Sequence, residues 1–213
     1  MITANYALNS LMRLVMKIFD ISQPIFGCEV YPGDPTPERA TLSSIDVGDL
    51  YNLTVFSMCA HNGTHVDAPS HFIKDGETVS EIDLTKTVGY AYVARFDGEM
   101  SENDAENILR KAHEASAEAA KRILIAGDAI ISNEACETFA SGGILLLGNE
   151  SQSVGPEGAP MAAHLTLLSR GVVLLEGVRL GGVPEGEYLL SCAPILLNGC
   201  DGAPCRAILI SMN

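Results

Sequence analysis

Two short, uninterrupted apolar runs constrain the fold of this chain most: "RILIAG" at 122–127 and "GILLLG" at 143–148. A strand with one wet face alternates polar and apolar residues, so runs without alternation suit strands buried on both faces. The stretch between them, from about Asn133 to Ala140, reads as a short helix. A third run, "GVVLLEGV" at 171–178, follows a helical stretch from Pro160 through Ser169 that Arg170-Gly171 ends. "CRAILI" at 205–210 reads as another strand behind it.

The first half of the chain looks β-dominated. "KIFDIS", "NLTVFSM" and "VGYAYVARF" have strand character, and "YPGDPTPE" at 31–38 demands turn and extended backbone. From Ser101 to Lys121 the pattern becomes helical. Ser101 with Asp104 resembles a capping box, and Ala105, Ile108, Leu109, Ala112, Ala115 and Ala119 recur at helical spacing. No linker, repeat or low-complexity tract divides the chain, so one mixed α/β domain over 16–213 is expected. Residues 1–15 read as an N-terminal extension, because Met16 offers an internal start and the leader lacks signal-peptide features.

Of 213 residues, 13 are Lys or Arg and 27 are Asp or Glu, a formal charge of −14. With no basic run interleaved with aromatics, nucleic acid is excluded as a partner. No window reaches the 18 or so apolar residues of a membrane span. The six cysteines form no CxxC pair and read as thiols of a cytoplasmic protein.

The chemistry concentrates in "HNGTHVDAPSH", residues 61–71, which holds three of the five histidines and one aspartate. His61, His65, Asp67 and His71 are all odd-numbered, so extended backbone would put them on one face. Gly63, Val66 and Pro69 argue against a helix, and Pro69 suits the end of a strand rather than its middle. Imidazoles beside a carboxylate suit a borderline divalent ion, and a wall without cysteine argues against a closed structural site. Cys59, two residues upstream on the same strand face, reads as a packing residue.

Of the other two histidines, His113 sits on a charged helix between Lys111 and Glu114 and should face solvent. His164 lies in the small, apolar stretch "MAAHLTLL". Glu176 is the sole charge in "GVVLLEGV", on the face of Val172 and Leu174, where an unpaired carboxylate would be costly to bury. A metal would supply the partner, and bridging carboxylates would make room for two ions; a surface position or a pairing with Arg179 is the alternative.

These residues resemble a known family. "HNGTHVDAPSH" is similar to the His-x-Gly-Thr-His-x-Asp-x-Pro-x-His signature of the cyclase-like metal hydrolases, which include the bacterial kynurenine formamidases. "FDISQPI", "YPGDP", "HLTLLSRGVVLLEGV" and "DGAPCRAILI" extend the resemblance over nearly all of the chain after residue 16, and residues 100–155 match loosely.

The resemblance implies a mixed α/β domain with a β-barrel-like or layered sheet flanked by helices, assembled as a homodimer or homotetramer. It implies a cofactor of one or two Zn2+, with Mn2+ as the substitute. His61, His65 and Asp67 would bind one ion and His164 a second, with Asp67 and Glu176 contacting both; His71 would be the catalytic acid/base. The activity implied is hydrolysis of a small amide, N-formylkynurenine to kynurenine and formate. Related members that open cyclic amides such as isatin give the alternative, and a non-catalytic metal-binding protein the remote one.

The family's formamidases carry a tryptophan just before the Pro-Gly-Asp turn, where this chain has Tyr31, the expected substrate contact. Asn149, Glu150 and Ser151 stand in place of the family's Gly-x-Asp-x-x-Ser segment.

Overall fold

A computed structural model describes residues 16–156 and 158–212; the extension read at 1–15 lies outside the described residues. In chain order the strands are β1 (Met16–Asp20), β2 (Glu38–Ser43), β3 (Leu53–Ser57), β4 (His65–Asp67), β5 (Val88–Arg95), β6 (Gly98–Met100), β7 (Arg122–Ala126), β8 (Ala129–Ile131), β9 (Leu146–Asn149), β10 (Val173–Glu176), β11 (Gly186–Ser191), β12 (Gly202–Pro204) and β13 (Ile208–Met212). The helices are α1 (Glu102–Ala115), α2 (Asn133–Ser141) and α3 (Met161–Leu168).

Nine strands form one mixed sheet in the order β1-β13-β11-β5-β7-β9-β10-β4-β12, which curls into a half-barrel. Its centre, β5-β7-β9-β10, is parallel, and each flank is antiparallel. The parallel centre follows from three crossovers in which α1, α2 and α3 each return the chain to the next strand. Right-handed crossovers advancing in one direction place all three helices on the same face.

The uninterrupted runs are explained by burial on both sides. Ile123, Ile125, Leu147 and Leu174 pack under the helices with Ile108, Phe139 and Leu167. Leu124, Leu146, Val173 and Leu175 point into the concave side with Val66, Val93, Leu190 and Leu209. Runs without polar alternation thus become β7, β9 and β10 at the centre of the sheet.

The capping box forms as expected: Ser101 Oγ accepts from the Asp104 N–H at 3.4 Å, and Asp104 Oδ2 accepts from the Ser101 N–H at 2.9 Å. The helix is shorter than its apolar spacing suggests. It stops at Ala115, where Ser116 turns extended and its hydroxyl accepts from the Ala119 N–H at 3.0 Å, starting a separate 3-10 turn over Ala119–Lys121. A local side-chain acceptor has outcompeted the helical ladder. The last strand begins at Ile208 rather than Cys205, because Cys205 and Ala207 spend their backbone groups on Thr64 and Ile21.

β2 and β3 form a separate antiparallel hairpin whose residues are almost all exposed. Leu42, Val47, Leu50 and Phe56 on this arm are 63, 81, 95 and 57% exposed.

Candidate metal centre

β4 is three residues long and lies between β10 and β12, antiparallel to both. Strand alternation turns Val66 into the concave core and sends His65 and Asp67 to the other face. His65 is the cross-strand partner of Glu176, and Asp67 of Leu174. His65, Asp67 and Glu176 are all buried.

The turn that delivers β4 is anchored by its threonine. The Thr64 hydroxyl donates to the Gly177 carbonyl at 2.8 Å and accepts from the Gln23 N–H at 2.8 Å. Gln23 Nε2 donates to the same Gly177 carbonyl at 2.7 Å. Gly177 has a φ of +68°, and a Cβ there would collide with Gln152, the Gly63 carbonyl and Gln23, so only glycine can follow Glu176.

His164 arrives from α3 and meets Asp67 and Glu176 beneath the sheet. His65 Nε2 lies 3.3 Å from both Asp67 Oδ1 and Glu176 Oε2. His164 Nε2 lies 3.3 Å from Glu176 Oε1 and 3.6 Å from Asp67 Oδ2. In each ring the other nitrogen is already committed: His65 Nδ1 donates to the Gly63 carbonyl at 3.0 Å, and His164 Nδ1 to the Pro160 carbonyl at 2.9 Å. A carbonyl can only accept, so both imidazoles hold their proton on Nδ1 and aim the Nε2 lone pair at the carboxylates.

A lone pair facing a carboxylate is repulsive unless a cation stands between them. His65 Nε2 and Asp67 Oδ2 are buried with no hydrogen-bond partner, which in a native interior requires a reason. Burial disfavours charge on His164, yet hydrogen bonding and charge from Asp67 and Glu176 raise its pKa to about 10. His65 is raised well above its ordinary value by the same carboxylates against the same burial. Asp67 is held well below the carboxylate range, because His164, His61 and His65 outweigh its desolvation. The carboxylates that draw positive charge to these two rings are ones a divalent cation fits, and ligand atoms of His65, Asp67 and Glu176 converge within 4.8 Å of one another.

The odd-numbered residues converge, though not along one extended wall. Only 65–67 is strand. His61 sits in a turn before Gly63, which has φ +68°, and His71 ends a 3-10 turn that Pro69 opens. Cys59 is likewise outside any strand; its Sγ contacts Asp34 Oδ2 at 3.9 Å at the rim. His61 Nδ1 is 2.8 Å from Asp67 Oδ1, and the His61 and His71 rings stack with centroids 4.0 Å apart. His61, Asp67 and His71 also bring ligand atoms together within 4.8 Å.

A seventh residue was not singled out by the sequence. Asp201, just before β12, places Oδ2 3.0 Å from His61 Nε2 and 3.2 Å from His71 Nδ1. Its neighbour Gly202 leaves room for the cluster, since a Cβ there would stand 2.6 Å from His61 Cε1. Asp201 is the one charged residue between Glu187 and Arg206. Glu176 stood out by the same signal, a lone charge in an apolar run.

The remaining sequence candidates fall around this centre. His113 is exposed on α1. Arg179 turns away from Glu176 and pairs with Glu29 at 3.0 Å. Tyr31 lines a cleft of about 820 Å³ with Glu29, Ser151, Gln152, Pro160 and Arg179, beyond the carboxyl ends of β7, β9 and β10. None of the six sequence-read metal and acid/base residues lines that cleft. It adjoins them through Pro160, whose carbonyl orients His164, and through the loop after β9, whose Val154 N–H donates to Glu176 Oε1 at 2.6 Å. Within that loop Glu150 accepts from the N–H groups of Gly127 and Leu180, Asn149 Nδ2 donates to the Ser153 carbonyl, and the Ser151 carbonyl accepts from Gly177. These groups brace the loop rather than face the cluster.

The sequence model of the Cyclase family matches residues 19–175, from within β1 into β10, which takes in His61, His65, Asp67, His71 and His164 and ends one residue before Glu176. The chain belongs to the Cyclase family. Among its relatives, a kynurenine formamidase of Erythrobacter litoralis is 32% identical over 91% of this chain and 93% of its own length. A kynurenine formamidase of Bacillus anthracis is 31% identical over 91 and 97%. A solved structure described as a potential metal-dependent hydrolase with cyclase activity superposes with a TM-score of 0.76 at 27% identity, covering 93% of this chain and all of that one. Isatin hydrolase A from Labrenzia aggregata shares the cyclase fold at a TM-score of 0.78 over 93 and 94%, with 21% identity. Among the described residues, no helix is long and apolar enough to cross a membrane.

Proposed function

We propose that this protein is a metal-dependent amidohydrolase of the arylformamidase type, converting N-formylkynurenine to kynurenine and formate in tryptophan catabolism. One observation carries the reading. Two buried imidazoles, their tautomers set by backbone carbonyls, aim Nε2 at the same two buried carboxylates, and the Nε2 of His65 has no hydrogen-bond partner. His61, His65 and Asp67 would hold one divalent ion, and His164 a second, with Asp67 and Glu176 reaching both. Zinc suits this nitrogen and oxygen donor set, and Mn2+ is the substitute.

Bound there, the metal lowers the pKa of water and polarises an acyl oxygen. The protein supplies position and protons. Burial pushes the His71 pKa down, so the ring is neutral near pH 7 and can accept a proton from water. As water adds to the formyl carbon and the carbon–nitrogen bond breaks, His71 returns that proton to the departing amine, which leaves poorly as an anion. Tyr31 and its cleft would hold the aryl ring beside the centre.

The reading is tested by metal analysis joined to side-by-side turnover of N-formylkynurenine and isatin. Preferential hydrolysis of N-formylkynurenine by zinc-replete protein is expected. Faster turnover of isatin would make the protein a cyclic-amide hydrolase, and metal-replete protein inert on both would make it a binding protein. Activity in protein free of divalent metal would overturn the mechanism.

The protein would work in the cytoplasm, where its six free cysteines remain reduced. Its form would be a homodimer or homotetramer. A two-stranded hairpin is marginal in water alone, and on the β2–β3 arm Leu42, Leu50, Val55 and Phe56 are exposed. Light scattering on purified protein checks the assembly.

A further inference from the structure

We propose that Asp201 is the positioning residue for His71, fixing the tautomer that leaves Nε2 free for proton transfer; this rests on the role of His71 given above. Asp201 grips the His71 segment twice. Its carbonyl accepts from the Ala68 N–H at 2.9 Å, at the start of the turn, and its carboxylate meets His71 Nδ1 at 3.2 Å, at the end. The Ala68 carbonyl in turn accepts from the His71 N–H at 3.0 Å.

A carboxylate can only accept, so His71 must carry its proton on Nδ1 and its lone pair on Nε2. The opposite tautomer would set an Nδ1 lone pair against the carboxylate. The ring cannot evade that choice by swinging away, because His61 stacks on one face at 4.0 Å and Phe72 packs edge-on at 4.6 Å. A base oriented by a third group is the recurring arrangement where an imidazole must present one defined nitrogen.

The Asp201 carboxylate is half-exposed and belongs to neither convergent ligand group, so it holds a ring rather than an ion. Sharing Oδ2 with His61 Nε2 ties the acid/base imidazole to the ligand imidazole through one oxygen. Asp201 thereby fixes the spacing of the stacked pair as well as the tautomer.

The test uses zinc-loaded protein carrying Asp201→Ala or Asp201→Asn, with three readouts: steady-state kinetics on N-formylkynurenine, zinc content, and histidine-selective nitrogen-15 NMR of the His71 tautomer. Asp201→Ala should lower kcat by roughly 10- to 100-fold, with KM and zinc content within about twofold, and should shift His71 from pure Nδ1–H to a mixture. Asp201→Asn keeps an acceptor oxygen and should recover part of both kcat and the tautomer. Unchanged kcat with an unchanged tautomer in Asp201→Ala would overturn the proposal, and so would zinc loss matching that of His61→Ala. If the parent hydrolyses no formamide, the functional reading fails separately, and the tautomer of His71 in the two variants still decides the role of Asp201.

Discussion

His65 and Glu176 are cross-strand partners in the β4–β10 pair, and His65 Nε2 stands 3.3 Å from Glu176 Oε2. The sheet itself therefore sets the spacing of these two candidate ligands. Adjacent strands with one face buried resist slippage, because a shift by one residue would send His65 into the concave core and Val66 into the cluster. The price of that rigidity is a buried carboxylate, and Glu176→Gln removes its charge with almost no change of shape. Metal content after dialysis should fall below that of the parent while the protein stays folded, as read by elemental analysis and circular dichroism. Full retention of metal in Glu176→Gln would remove this residue from the ligand set.

Much of this architecture was legible in the sequence, and the unread parts share a physical cause. The doubly buried runs gave β7, β9 and β10, because lack of alternation is itself a signal. β6, β8 and β12 are three residues each and leave no period to detect. The site divides the same way. His61, His65, Asp67 and His71 are close in sequence, so their density is visible, although a turn and a 3-10 turn replace the extended wall. His164 and Glu176 were readable from unusual polarity in apolar stretches. Asp201 carried that signal too, but "NGCDGAPC" around it resembles an ordinary turn, and only the pairing of β12 with β4 reveals what it faces.

The protonated state of the metal-free cluster makes a prediction about pH. His164 rises from an ordinary 6.5 to about 10 on folding. A group raised by folding stabilises fully below its unfolded value, and that contribution is lost as pH climbs through the folded one. Metal-free protein should therefore melt at a lower temperature at pH 8.5 than at pH 6.5. Zinc should raise the melting temperature more at pH 8.5, since below that protons compete for the same nitrogens. Calorimetry with and without zinc at both values checks this; an equal gain at both would mean that no proton is exchanged for the metal.

Thr64 should prove structural rather than chemical. Its hydroxyl joins the Gln23 N–H to the Gly177 carbonyl, so Thr64→Val keeps the shape and leaves a buried donor without its acceptor. The expected cost is about 1–3 kcal/mol of stability by urea titration. The kcat of the folded fraction should stay within about threefold, a modest loss consistent with a small shift of the turn that carries His61 and His65. A collapse of turnover at unchanged stability would instead give the hydroxyl a direct part in the reaction.

His71 separates the acid/base reading from the one in which it joins the ligands. Its ring lies near enough to His61 and Asp67 to share an ion with them, yet its Nδ1 meets Asp201. If His71 carries protons, His71→Ala should lower kcat on N-formylkynurenine by roughly 10²–10⁴-fold with metal content unchanged. If it is a ligand, the same substitution should strip metal in proportion to activity. Imidazole added to His71→Ala distinguishes them further: the vacated space between His61 and Phe72 can admit a free ring, which would restore turnover only where the missing function is proton transfer. Zinc analysis alongside the rescue curve decides between the two, because a ligand role requires metal and activity to return together.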